Sequence, residues 1–266
     1  MADALVLLRW RDYPRRMKAD FDQTQFRQSA LREGLSLLGH AVLFPFGYIQ
    51  SRHQTRRAED MRTVVLVHGL GANRSVFYPM QGYLKLKGHH QQLSLNLPMG
   101  PSIESLAVML QQEIDAKVKG GRIDIIAHSL GGLVARTYIQ LLDGARRVDR
   151  LITLGTPHYG THAAHFVPSA FVRQLKPDSS FLSDLNARPF PQQVSCTSFA
   201  GGQDALILPQ ESALLAQSHQ ILMPKSGHNE LLMSPRVFAH IHQQLASSPN
   251  ASSPMTDSTK QSQPSL

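Results

Sequence analysis

The stretch DIIAHSLGGLVART, residues 124–137, decides how this chain reads. Ile123, Ile125 and Ile126 make a short apolar run of the kind a buried strand needs. Leu130, Leu133, Val134, Ile139, Leu141 and Leu142 follow at spacings that suit a largely buried helix. Ser129 stands at the joint, with Ala127 and Gly131 two places either side. Two readings compete for it. A serine ahead of a helix is a common N-cap. A serine on a sharp strand-to-helix turn between small residues is a nucleophile elbow, G-x-S-x-G, here with alanine in the first place. In that geometry the hydroxyl stands clear of the sheet and the helix N-terminus directs partial positive charge toward it. The N–H of Leu130 is then available to an oxyanion.

The rest of the chain supplies the means to choose. Its 266 residues divide into three zones. Residues 1–62 are basic and helix-prone, with an apolar block, GLSLLGHAVLFPFGYI, from Gly34 to Ile49. Residues 63–246 alternate strand and helix patterns. Residues 247–266 hold seven serines and three prolines with almost no apolar side chains, so disorder is expected there. No internal repeat is evident.

Within the middle zone, strands are expected at 63–69, 91–98, 122–129, 148–157, 194–202 and 219–228. A helix over 102–118 is expected to be capped by Ser102 and to bury Ile103, Leu106, Met109, Leu110 and Ile114. Alternating strands and helices imply a mostly parallel sheet covered on both faces. Such sheets bind ligands beyond the carboxyl ends of their strands. A serine hydroxyl is a poor nucleophile at neutral pH and needs a general base, which an acid must orient. Downstream of Ser129, Asp204 follows the fifth strand in AGGQDALILP and His228 follows the sixth in PKSGHNELL. Both sit on glycine-bearing loops at the expected end of the sheet, in the order Ser, Asp, His. Asp178 and Asp184 are alternative acids in a polar connection before the fifth strand. With 13 histidines, a loop histidine alone means little. His219 lies at the wrong end of its strand, and His240 and His242 sit on a helix. The turn VHGLGANRS after the first strand offers the N–H of Leu70 as a second oxyanion donor beside that of Leu130.

These motifs carry a family resemblance. VVLVHGLGANRSVF, LNLPMGPSIESLA, IDIIAHSLGGLVARTYI, LITLGTPHYGT and KPDSSFLSDLN resemble the bacterial lipase and esterase branch of the α/β-hydrolases, including true lipases and the lipase-like domain of GPI-inositol deacylases. The resemblance spans roughly residues 63–246, and GTPHYGT is its most discriminating piece. It implies an α/β-hydrolase fold with a small cap and carboxylic ester hydrolysis through an acyl-enzyme. It carries the nucleophile to Ser129, the acid to Asp204, the base to His228 and the oxyanion hole to Leu70 and Leu130. Thioester hydrolysis, or acyl transfer to an alcohol, uses the same triad and stays open. A catalytically silent membrane-surface binding protein is the contrasting reading, and the complete triad speaks against it.

The expected substrate is an apolar ester or lipid. The segment 163–186 is apolar enough to cap the site, with Phe166 and Phe171 as its expected acyl contacts. No cofactor and no metal are assigned. His158, His162 and His165 lie close in sequence but read as exposed loop histidines. The formal charge is +8, and many of the basic residues cluster early, among them Arg9, Arg11, Arg15, Arg16 and Lys18. No nucleic-acid-binding signature accompanies them, so an anionic membrane surface is the expected partner and nucleic acid is not. The apolar block at 34–49 is short for a spanning helix and suits an interfacial one. Arg27 and Arg32 precede it, and Arg52, Arg56 and Arg57 follow it. The alternative is that it packs on the hydrolase core. No secretory signal is evident, and the one cysteine, Cys196, reads as a core residue. A cytoplasmic or peripherally membrane-associated bacterial protein is therefore expected. Asn73 and Asn250 match the glycosylation pattern by chance.

Overall fold

The computed structural model of the chain describes residues 23–48, 62–169 and 171–247. The early basic cluster, Arg52, Arg56 and Arg57, and nearly all of the Ser/Pro-rich tail lie outside the described residues, as do the side chains of Arg27 and Arg32. In chain order the elements are α1 (Gln23–Leu43), β1 (Thr63–Val67), α2 (Tyr78–Leu86), β2 (Gln92–Leu95), α3 (Ile103–Lys117), β3 (Ile123–His128), α4 (Leu130–Leu141), β4 (Val148–Leu154), α5 (Ser180–Ala187), β5 (Ser195–Gly201), β6 (His219–Met223) and α6 (Pro235–Ala246). Short 3-10 turns lie between them.

The six strands form one sheet in the order β2-β1-β3-β4-β5-β6, with every neighbouring pair parallel. Both faces are covered, and strand periodicity divides the core accordingly. Val65, Val67, Ile125 and Ala127 face one side, where they meet α3, α4 and α5. Val64, Leu66 and Ile126 face the other, against α2 and α6. Helix α3 begins as expected: the Ser102 hydroxyl accepts from the Ser105 N–H at 3.2 Å. Near the amino ends of the central strands, Asp124 on β3 and Arg150 beside it on β4 form a buried ion pair at 3.0 Å. Burial still raises the Asp124 value, against the pull of Arg150.

Helix α1 lies against the carboxyl end of this sheet together with the 3-10 turn Phe44–Tyr48. Main-chain carbonyls fasten the turn. Phe44 O accepts from Asn73 Nδ2 at 2.8 Å, Phe46 O from the Tyr78 hydroxyl at 2.9 Å, and Gly47 O from Asn96 Nδ2 at 2.9 Å. Asn73 is buried in this contact, in keeping with its glycosylation motif being a chance match. The helix has two apolar faces. Leu37, His40 and Ala41, with Phe44 just beyond, line a cleft on one side. Leu31, Leu35, Leu38 and Val42, spaced 4, 3 and 4 residues apart on the opposite side, are 59–66% exposed. Among the described residues no helix is long and apolar enough to cross a membrane.

Candidate active site

Ser129 sits where β3 turns into α4, with φ 53° and ψ −127°. A non-glycine residue there stores of order 1–3 kcal/mol of backbone strain, a feature concentrated at functional sites. Its hydroxyl makes no capping bond to α4, so the N-cap reading fails. The turn is held by the Ser129 N–H donating to Leu154 O at 2.9 Å. Glycines let neighbouring backbones close on it: a Cβ on Gly69 would lie 2.8 Å from the Ser129 Cβ, and one on Gly131 would lie 2.4 Å from Val67 O.

Asp204 and His228 come together behind this serine. His228 Nδ1 lies 2.7 Å from Asp204 Oδ2, and both residues are buried. The other carboxylate oxygen of Asp204 accepts from the N–H groups of Leu206 and Ile207, each at 2.8 Å. These two amides leave Oδ2 free for the imidazole, whose Nδ1 must therefore carry the proton and leave Nε2 as the basic nitrogen. Gly155, with φ 56°, leaves room for the pair; a Cβ there would lie 3.1 Å from His228 Nδ1. Among the described residues the Ser129 hydroxyl closes no hydrogen bond with His228, and such bonds commonly tighten only around substrate. Asp178 and Asp184, the alternative acids, are exposed.

Further histidines, which motif reading passed over, build the surroundings. His68 accepts from the Leu97 N–H at 3.0 Å and donates to Gly69 O at 2.9 Å, tying the turn after β1 to the end of β2. The His128 ring lies tilted at 51° to that of His228 with centroids 4.6 Å apart, and its Nε2–H donates to His228 O at 3.2 Å. Burial, and then His228, holds the His128 value well below that of a free imidazole. His40, from α1, is likewise lowered by burial and then by His228. A histidine beside Ser129 in the A-H-S tripeptide was visible in the sequence; its contact with a loop 100 residues away was not.

Ser129, His128 and His228 open into a cleft of about 410 Å³. Leu70 lines it and is 41% exposed, while Leu130 is buried at the start of α4. The segment between β4 and β5 does cover the cleft, but through Ala163, Ala164, Val167, Val172 and Leu175. Phe166 and Phe171 are not among the lining residues of this cleft. Phe166 ends a 3-10 turn with its ring 86% exposed, and Phe171 is buried in the core with α5 and touches only a small neighbouring cavity by Leu70. The turns at 162–166 and 172–175 rotate the two rings away, so both expected acyl contacts are corrected to their smaller neighbours. His158 also departs from expectation. It is fully buried, with Nε2 3.0 Å from the Thr153 hydroxyl and Nδ1 facing the Arg136 guanidinium, while His162 and His165 are exposed. No three metal-ligating side chains converge among the described residues. Burial pushes the Cys196 thiol up to about 12, so it offers no thiolate nucleophile.

Residues 63–200, more than half of the chain, match the family model described as palmitoyl protein thioesterase. The chain belongs to the palmitoyl protein thioesterase family. That family lies within the α/β-hydrolases. Solved structures agree on the fold. Aspergillus fumigatus lipase B superposes with a TM-score of 0.61 at 16% identity, over 73% of this chain and 55% of that one. Mature Bacillus licheniformis lipase BlEst2 gives 0.57 at 16% identity, over 70% and 91%. A thermophilic esterase from Thermogutta terrifontis gives 0.50 at 18% identity, over 69% and 89%. The chain thus spans little more than half the length of the fungal lipase. This member of the palmitoyl protein thioesterase family shares their fold, with α1 lining its cleft.

Proposed function

We propose that the protein is a serine hydrolase of long-chain acyl esters that works at a lipid surface. The 2.7 Å contact between His228 and Asp204 behind the strained Ser129 carries this reading. His228 Nε2 takes the Ser129 proton as Oγ attacks the acyl carbonyl. The N–H groups of Leu70 and Leu130 hold the resulting oxyanion, and His228 returns the proton to the leaving alcohol. Water then repeats the sequence on the acyl-enzyme. Asp204 keeps the imidazole oriented and stabilises its positive charge in both halves. The cleft supports an apolar acyl group, since Leu37, Phe44, Val167, Val172, Leu175 and Leu206 are among the apolar side chains of its wall.

Family membership favours a second reading, thioester hydrolysis by the same steps with a thiol leaving group. The outward stripe of α1 supports the lipid surface. Its four exposed apolar side chains face away from the cleft, and each contributes roughly 1.5–3 kcal/mol if fully buried in acyl chains. Oxygen-ester and thioester substrates of matched acyl length, compared with and without anionic vesicles, test the proposal. Turnover that rises with acyl length and with vesicles supports it, as does loss of turnover in Ser129→Ala. Absence of Ser129-dependent hydrolysis across the panel overturns it.

A further inference from the structure

The loop that carries His228 is fastened from three directions, and one fastening comes from a helix nearly 200 residues earlier. Asp204 holds the ring, and His128 donates to the His228 carbonyl. The next two main-chain N–H groups, of Asn229 and Glu230, are satisfied by the carboxylate of Glu33 on α1. Asn229 N donates to Oε1 at 2.8 Å and lies 3.1 Å from Oε2, and Glu230 N donates to Oε2 at 3.2 Å. The Asn229 side-chain amide adds a bond to Oε1 at 2.6 Å. On the other flank, Gly227 is shaped to admit the carboxylate, because a Cβ there would lie 2.5 Å from Glu33 Oε2. Hydrogen bonds to an ionised acceptor are about twice as strong as neutral ones, and both oxygens are engaged here.

We infer that Glu33 is a positioning residue for His228. By fixing the main chain on which the imidazole is mounted, it makes turnover depend on α1 being seated over the cleft. The inference rests on the assignment of Ser129, Asp204 and His228 as the catalytic set. It does not reduce to holding α1 in place, because the turn at 44–48 already has three polar fastenings of its own. The same helix carries wall residues of the cleft and the exposed leucines, so its seating joins substrate pocket, base and outer surface.

The test uses the full chain and a short soluble p-nitrophenyl ester, whose binding makes little use of the α1 wall. Glu33→Ala is expected to lower kcat by about a hundred-fold with little change in KM, the scale of loss for a misplaced catalytic group. Glu33→Gln keeps the shape and one acceptor oxygen and is expected to recover part of the loss. Asn229→Ala is expected to cost less in the Glu33→Ala background than in the unaltered chain, because both act through one contact. Full kcat in a folded Glu33→Ala variant overturns the inference while leaving the catalytic set intact. If Glu33→Ala does not fold, as judged by circular dichroism, Glu33→Gln and Asn229→Ala decide, and unchanged kcat in both overturns it. Undiminished hydrolysis by Ser129→Ala overturns the catalytic set, and this inference with it.

Discussion

Thr156 fills the space that a side chain at residue 132 would need: a Cβ on Gly132 would lie 2.0 Å from its Oγ1 and 2.6 Å from its Cγ2. Thr156 follows Gly155, the residue on which the His228–Asp204 pair rests. The second glycine of the LGG sequence therefore sets how closely α4 approaches the loop after β4, and so where Ser129 lies relative to His228. Gly131 serves the opposite flank, against the main chain of β1.

Alanine at either glycine is expected to lower both Tm and kcat, with overpacking costing about 1–3 kcal/mol. Gly131→Ala should be the worse of the two, because its Cβ meets the backbone carbonyls of Val67 and His68, which cannot rotate away. Thr156→Ala should recover part of the Gly132→Ala loss and none of the Gly131→Ala loss. Thermal melts of the two double variants check the pairing.

Asp204→Asn is expected to cut kcat by a factor on the order of ten thousand through a wrongly held imidazole, with a smaller effect on KM. Asp178→Asn and Asp184→Asn should match the unaltered enzyme, since both carboxylates face solvent. Steady-state kinetics on one ester distinguishes the three. A loss confined to Asp184→Asn would move the acid away from the loop after β5.

Acyl-length preference should follow the residues that line the cleft. Val167→Asn and Leu175→Asn are expected to penalise decanoyl esters more than acetyl esters. Phe166→Ser should leave the ratio unchanged, because its ring is turned to solvent. A chain-length series of p-nitrophenyl esters reads this directly.

Stability should fall as the pH drops below that of an ordinary histidine. Burial, and then the Arg136 guanidinium, holds His158 well below 6.5. Its Nδ1 accepts from that guanidinium, so a proton there would have no place. As pH falls, the unfolded chain therefore binds the proton first. The stability from neutral His158 is complete above pH 6.5 and is lost progressively below it. Burial, reinforced by His228, gives His128 the same sign. Tm measured from pH 7.5 to 5 should decline, and His158→Gln should flatten the decline. A Tm that is level across this range would contradict the assignment.

The proximity of Asp204 and His228 at the end of the sheet that carries Ser129 was legible because each of the three follows a strand. The strand pattern itself was plain, since apolar alternation in TVVLV and IDIIAH specifies two buried faces. Phe166 and Phe171 misled because periodicity does not predict where a 3-10 turn points its side chains. Glu33 was invisible for a different reason. Its partners lie 196 residues away, and nothing local in LREGLSLL distinguishes a half-buried tether from a surface charge. His158 was hidden likewise, because burial beside Arg136 is a tertiary fact that the GTPH sequence does not announce.

The central claim is that Ser129 is an activated nucleophile served by His228. Intact-mass analysis after treatment with a fluorophosphonate tests it most directly, with peptide mapping to place the adduct. One adduct on Ser129 is predicted, absent from Ser129→Ala and formed far more slowly in His228→Gln. An adduct on another residue, or labelling of His228→Gln at the unaltered rate, would contradict the account.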